Sequence, residues 1–316
     1  MTVSVVLAVV LGIALLGAVA ALILSPRTPS EGRSASRRTP GEAVTGRAAL
    51  EDVDLGLRVL TETCERDGRE LPDTYVVAVS EERLVLRLAR FDRDAPEPWE
   101  ADEDGEEWSL TRKRIAAAEP APQADHAFPL TVTLGFRDGE RLLVDLARAA
   151  APVALTGGAA EARRLAAAFV AEVLTGPVGR KGEVTLIGPV ATALADDLGV
   201  RSARLRTAAN LKEALTRGTE EGTAFTLLPA DGVTEVFQLI EGDDAGPGGA
   251  PAHRLLVMDA DQYAEEERPE TWSRTDALLL LGDVPAAAWR FAAGTDGALD
   301  TGPLGLPVDR AAGHPL

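Results

Sequence analysis

The chain has 316 residues, 46% of them hydrophobic and 26% charged, and carries a formal net charge of −18. Such a chain can bury one or two cores, which excludes disorder throughout, and its acidity argues against nonspecific binding to nucleic-acid phosphates. A lone cysteine, Cys64, excludes an intramolecular disulfide and a cysteine-based zinc site. The three histidines, His126, His253 and His314, are scattered and form no HExxH pattern, so a histidine metal site has no support either.

At the amino terminus, no charge occurs from Val3 to Leu24. At about 1.5 Å per residue this run crosses a hydrocarbon core of about 30 Å. The opening MTVSVV lacks the basic residues of a cleavable signal peptide. An uncleaved transmembrane helix over residues 1–25 is therefore expected, with the lipid bilayer as a partner. Arg27, Arg33, Arg37, Arg38 and Arg47 follow, against Glu31 and Glu42. This asymmetry predicts a single-pass protein of the cell membrane with its C-terminal body in the cytoplasm. Residues 26–46 are rich in Ser, Pro, Thr, Gly and Arg and read as a flexible linker, whose arginines could also meet anionic headgroups.

Leu50, Val53, Leu57, Leu60 and Cys64 recur at three- and four-residue spacing, the pattern of an amphipathic helix packed on its own domain. TYVVAV and RLVLRLA, joined by SEE, predict one β-hairpin, and LTVTLGF and RLLVDLA, joined by RDGE, a second. Residues 47–149 thus read as an α+β module. Between the hairpins, residues 91–108 carry nine acidic side chains and one arginine. Asp102, Asp104 and Gly105 imitate part of a calcium loop, but Thr111 stands where the bidentate glutamate belongs, so a solvated acidic loop is expected.

From residue 150 the rhythm becomes strand and helix in alternation. PVALTG, EVTLIG, RLLVMDA and DALLLLGD read as strands, RLRTA as a short fifth, and AEARRLAAAFVAEVL and NLKEALTRG as helices. Alternation of this kind predicts an α/β domain over residues 150–316 with a mainly parallel sheet. GDDAGPGGAPA, residues 242–252, reads as a glycine-proline loop, and WRFAAGTDGALDTGPLGLPV as a terminal hairpin.

ALTGGAAEARRL, residues 154–165, stands where a phosphate-binding loop would sit, between an apolar strand and a helix. A working P-loop has the form GxxxxGK[ST]: backbone N–H groups wrap the phosphates, lysine reaches the outer ones and the hydroxyl holds magnesium. Here Gly157 supplies the first glycine and Gly158 follows it. Ala162 replaces the second glycine, Arg163 the lysine and Arg164 the hydroxyl residue, while Glu161 puts a negative charge inside the cradle. The expected site is a degenerate loop of Gly157, Gly158 and Arg163, without catalysis and without a cofactor. Asp259, at the end of RLLVMD, matches the magnesium-supporting aspartate of a Walker B strand, but Ala260 stands where the water-polarising acid belongs. Asp259 counts as a metal ligand only if the loop still takes nucleotide.

PVALTGGAAEARRLAAAFVAEVL, EVTLIG and LGVRSARLRTAANLKEAL together resemble a degraded FtsK/EccC-type ATPase domain. With LLLLGDVPAAAWRF and GPLGLPV, residues 50–310 resemble the C-terminal region of actinobacterial membrane proteins whose other members carry LysM or bacterial transcriptional activator domains. Neither of those domains is visible here, and the resemblance implies no activity. The expected function is a membrane-anchored, non-catalytic scaffold or pseudo-ATPase that binds a membrane-associated protein and no nucleic acid. The alternatives are a nucleotide-binding switch or ATPase with an atypical phosphate loop, and an exported, membrane-tethered binding domain.

Overall fold

The computed structural model describes residues 42–118, 125–149, 151–198, 202–216, 224–226, 253–266, 271–273 and 275–314. The expected membrane segment, most of the linker and the 242–252 loop lie outside them. Among the described residues no helix is long and apolar enough to cross a membrane. The described residues begin inside the expected linker, where Glu42–Thr45 forms a helical turn (α1) with Val44 buried.

Helix α2 (Arg47–Asp67) follows the predicted stripe: Leu50, Val53, Leu57, Leu60 and Cys64 are all buried. It stops at Gly68, whose φ of 63° lets its own N–H donate to Glu65 O and that of Arg69 to Cys64 O. The stripe packs on an antiparallel sheet built from β1 (Thr74–Val79), β2 (Arg83–Leu88), β3 (Glu100–Ala101), β4 (Glu107–Thr111), β5 (Thr131–Arg137) and β6 (Glu140–Asp145). Both predicted hairpins form, and Asp138 and Gly139, with φ of 48° and 79°, make the tight β5–β6 turn. A short helix, α3 (Arg112–Ala117), follows β4.

The acidic stretch is more than a solvated loop. Trp99 and Trp108 are buried, and the Trp108 indole donates to Asp92 O at 2.7 Å. Asp102 accepts from the N–H groups of Glu106 and Glu107, and Arg69 pairs with Asp92 and Asp94. Alternation in EWSLT, hidden among carboxylates, sends Trp108 and Leu110 inward as β4.

The second sheet comprises β7 (Val153–Gly157), β8 (Glu183–Ile187), β9 (Leu205–Ala208), β11 (Arg254–Asp259), β13 (Asp276–Leu281), β14 (Trp289–Ala293), β15 (Leu299–Asp300) and β16 (Pro307–Val308). β10 (Ala224–Thr226) and β12 (Thr271–Ser273) pair separately. Its order is β16-β15-β14-β7-β13-β11-β8-β9, parallel from β14 through β9 and antiparallel from β14 to β16. The last strand, β17 (Arg310–Ala311), returns to the first sheet and pairs with β5, giving the order β17-β5-β6-β1-β2-β4-β3.

Helices α4 (Ala159–Thr175) and α5 (Pro189–Leu198) lie between the sheets. Leu165, Phe169, Val170 and Val173 of α4 and Leu194 of α5 share one core with Val76, Val132 and Leu134 of the first sheet and Leu155, Val257 and Leu279 of the second. On the far face of the second sheet, Leu211 of α6 (Leu211–Thr216) and Tyr263 of α7 (Ala260–Glu265) cover Leu256, Met258 and Leu280. With α2 on the far face of the first sheet, the layers run helix, sheet, helix, sheet, helix. The sheets thus share a core rather than closing two separate ones.

Candidate functional site

The central strand β7 buries Val153, Ala154 and Leu155 between β13 and β14, then reaches the carboxyl edge of the sheet at Thr156 and Gly157. Parallel sheets bind ligands at this edge, where strand order reverses. Gly157 has φ of 96°, and a Cβ there would overlap the carbonyl oxygen of Ala293 in β14. Gly158 is the N-cap of α4 without a side-chain cap, and a Cβ there would overlap Glu161 Oε2. Gly157 therefore answers to a backbone neighbour within the chain, while at Gly158 the neighbour is the tip of a flexible side chain.

Glu161 lies in the first turn of α4 and folds back against Gly158, with Arg164 paired to its other oxygen. A helix amino terminus favours an anion because its first N–H groups lack partners. Here the chain's own carboxylate lies in that field. Arg163, the expected lysine replacement, is exposed, and its Nε donates to Ala159 O at 3.5 Å along the helix surface. The structure brings Gly157, Gly158 and Glu161 together and leaves Arg163 outside that group.

Asp259 ends β11, which lies two strands from β7. Asp259 pairs in register with Leu281, and Leu281 with Leu155, so the loop and the aspartate share one edge about 10 Å apart. Asp259 is spent locally as the N-cap of α7, accepting from Asp261 N–H at 2.9 Å. Ala260 is buried, and a Cβ on Gly282, whose φ is 126°, would overlap the Ala260 methyl group. Farther along the edge, the Gln262 amide lies over Gly188 and donates to Ala209 O and Glu266 Oε1, and Glu266 accepts from Leu211 N–H. Among the described residues, no three His, Cys, Asp or Glu side chains converge as metal ligands would.

The buried polar groups lie elsewhere. Asp54 of α2 meets Arg58 at 2.9 Å, Arg180 at 3.3 Å and His126 Nε2 at 3.5 Å. His126 Nδ1 accepts from Phe128 N–H, which leaves the Nε2–H to donate to Asp54. Burial alone would raise the Asp54 carboxyl, but the His126 hydrogen bond and the guanidinium groups of Arg180 and Arg58 outweigh it and hold the carboxyl below its ordinary value. Between the sheets, Asp145, at the end of β6, is pushed up by burial, opposed by Arg148, the N–H groups of Ala147 and Leu130, and His253. His253 precedes β11 and is pushed down by burial, opposed by Asp145, Asp276 and Asp125. Arg58 and Arg148 are near neighbours in the sequence, but His126, Arg180 and His253 are not, so no local pattern assembles these groups. No family model matches the sequence, and no curated protein is similar to it.

Proposed function

We propose that the protein is a membrane-anchored, non-catalytic scaffold or interaction protein, in which residues 150–316 keep a P-loop-like arrangement and have lost its phosphate chemistry. One observation carries this reading: the Glu161 carboxylate lies against Gly158 at the amino terminus of α4, where an incoming phosphate would need those N–H groups. A glycine turn from a central parallel strand into a long helix, with an aspartate two strands away at the same edge, supports the P-loop-like part and the resemblance to FtsK/EccC-type domains. The positive flank of residues 26–47 supports a cytoplasmic body, and a body held at the membrane would meet a membrane-associated protein as partner.

Calorimetry of the full-length protein with ATP or GTP and magnesium tests the reading, beside Arg163→Ala and Glu161→Gln. The expected result is no heat of binding at millimolar nucleotide in wild type. Binding that Arg163→Ala abolishes would establish the nucleotide switch instead. A reporter joined after residue 316 tests the orientation separately; activity only outside the cell would overturn the cytoplasmic body.

A further inference from the structure

Where the described chain begins, its backbone is tied to α4 by arginines. Arg141 of β6 is 7% exposed. Its Nε donates to Thr133 Oγ1 at 2.7 Å, one terminal nitrogen to Thr45 O at 3.3 Å and Gly46 O at 3.5 Å, and the other to Glu172 Oε1 at 3.3 Å. Glu172 of α4 also accepts from the Thr133 hydroxyl at 2.8 Å and the Thr133 N–H at 3.0 Å. That N–H is turned toward α4 where the β5–β6 register shifts between Thr133 and Gly135. Arg47 adds a second tie, donating to Thr175 O at the end of α4 at 3.2 Å.

We infer that Arg141 and Glu172 form a latch through which the position of residues 44–46 sets the local stability of the carboxyl-terminal half of α4. An ion pair this buried is a poor device for stability alone, since apolar residues of similar volume do as well. It differs from an apolar pair in binding the carbonyls of Thr45 and Gly46, which require a donor. The planar fork of arginine spans those carbonyls, the Thr133 hydroxyl and the Glu172 carboxylate at once. Displacement of residues 44–46 therefore leaves Arg141 short of acceptors and pulls on the side chain that steadies Glu172. α4 feels what happens at the start of the body.

Hydrogen exchange of the full-length protein, followed by mass spectrometry, tests the coupling. Val44→Asp expels residues 42–46 without touching the pair, because Val44 is buried. Exchange at residues 168–176 should rise about fivefold, while residues 255–258 in the second sheet keep wild-type rates. The same substitution in an Arg141→Met/Glu172→Met background should leave residues 168–176 at that background's rate, because the Arg141 connection is already cut and Arg47, in α2, lies outside the expelled residues. Arg141→Lys, which keeps the charge but not the fork, should free residues 42–46 and α4 together. The latch is overturned if Val44→Asp frees residues 42–46 and α4 stays at wild-type rates. It is equally overturned if the α4 response survives in the double background, or if residues 255–258 loosen in step in every variant.

Discussion

The carboxyl edge of the parallel sheet and the seam between the two sheets treat polar groups in opposite ways. At the edge, Gly157, Gly188 and Gly282 sit hard against Ala293, Gln262 and Ala260, and Asp259 and Glu161 serve helix ends. At the seam, Asp145 is buried and Arg141 binds Glu172, while beyond the first sheet Asp54 of α2 binds Arg180 across segments distant in the chain. Enzymes of this layout place their strained and shifted groups at the edge. In this protein the buried Arg141 and Asp145 and the largely buried Glu172 lie where the two halves meet, away from that edge.

Breaking the seam should cost most. Glu172→Ala leaves the Arg141 guanidinium buried without its carboxylate and should lose about 3–5 kcal/mol in urea unfolding. A loss under about 1 kcal/mol would mean that the seam contributes little and would weaken the contrast. Next comes the edge: Gly157→Ala forces a side chain into φ of 96° and into the Ala293 carbonyl. A loss of about 2–3 kcal/mol is expected. If the variant is neutral, packing does not explain the glycine and a ligand role returns.

The pH response is smaller and signed. His253 has a lowered folded pKa, so below about 6.5 the unfolded chain binds the proton first and stability falls as pH drops toward the folded value. His253→Gln should remove that slope from a denaturant series between pH 7.5 and pH 5, values of roughly the histidine range. Asp145 acts in the other sense, its raised pKa adding stability at low pH that is lost as pH rises through the folded value, so Asp145→Asn is read separately. The smallest effect falls on Arg163→Ala, an exposed change expected to stay within about 0.5 kcal/mol. A larger loss would place Arg163 inside the loop's network.

Local pattern carried much of this fold. The α2 stripe, both hairpins and the strands at β7, β8, β11 and β13 follow from periodicity and turn residues that act over a few positions. β4 did not, because its alternation is submerged in carboxylates. At the candidate site, the glycines and the intruding Glu161 were legible, but their reason was not. Ala293 presses on Gly157 only once β14 has paired with β7. The buried ion pairs were illegible for the same reason: Arg141 meets Glu172 only once α4 has packed on the first sheet, and Asp54 meets Arg180 across 126 residues.

β17 bears on how the chain is made. Phe136 of β5 waits for Arg310, roughly 170 residues later, before its ladder closes, a span that slows folding. Gly135 is bare there because the Arg310 carbonyl lies against it. During synthesis the first sheet therefore emerges with β5 open, while the second must assemble beside it. A ribosome stalled before residue 310 would present an unpaired strand edge, the kind of surface that chaperones hold and that neighbouring chains capture.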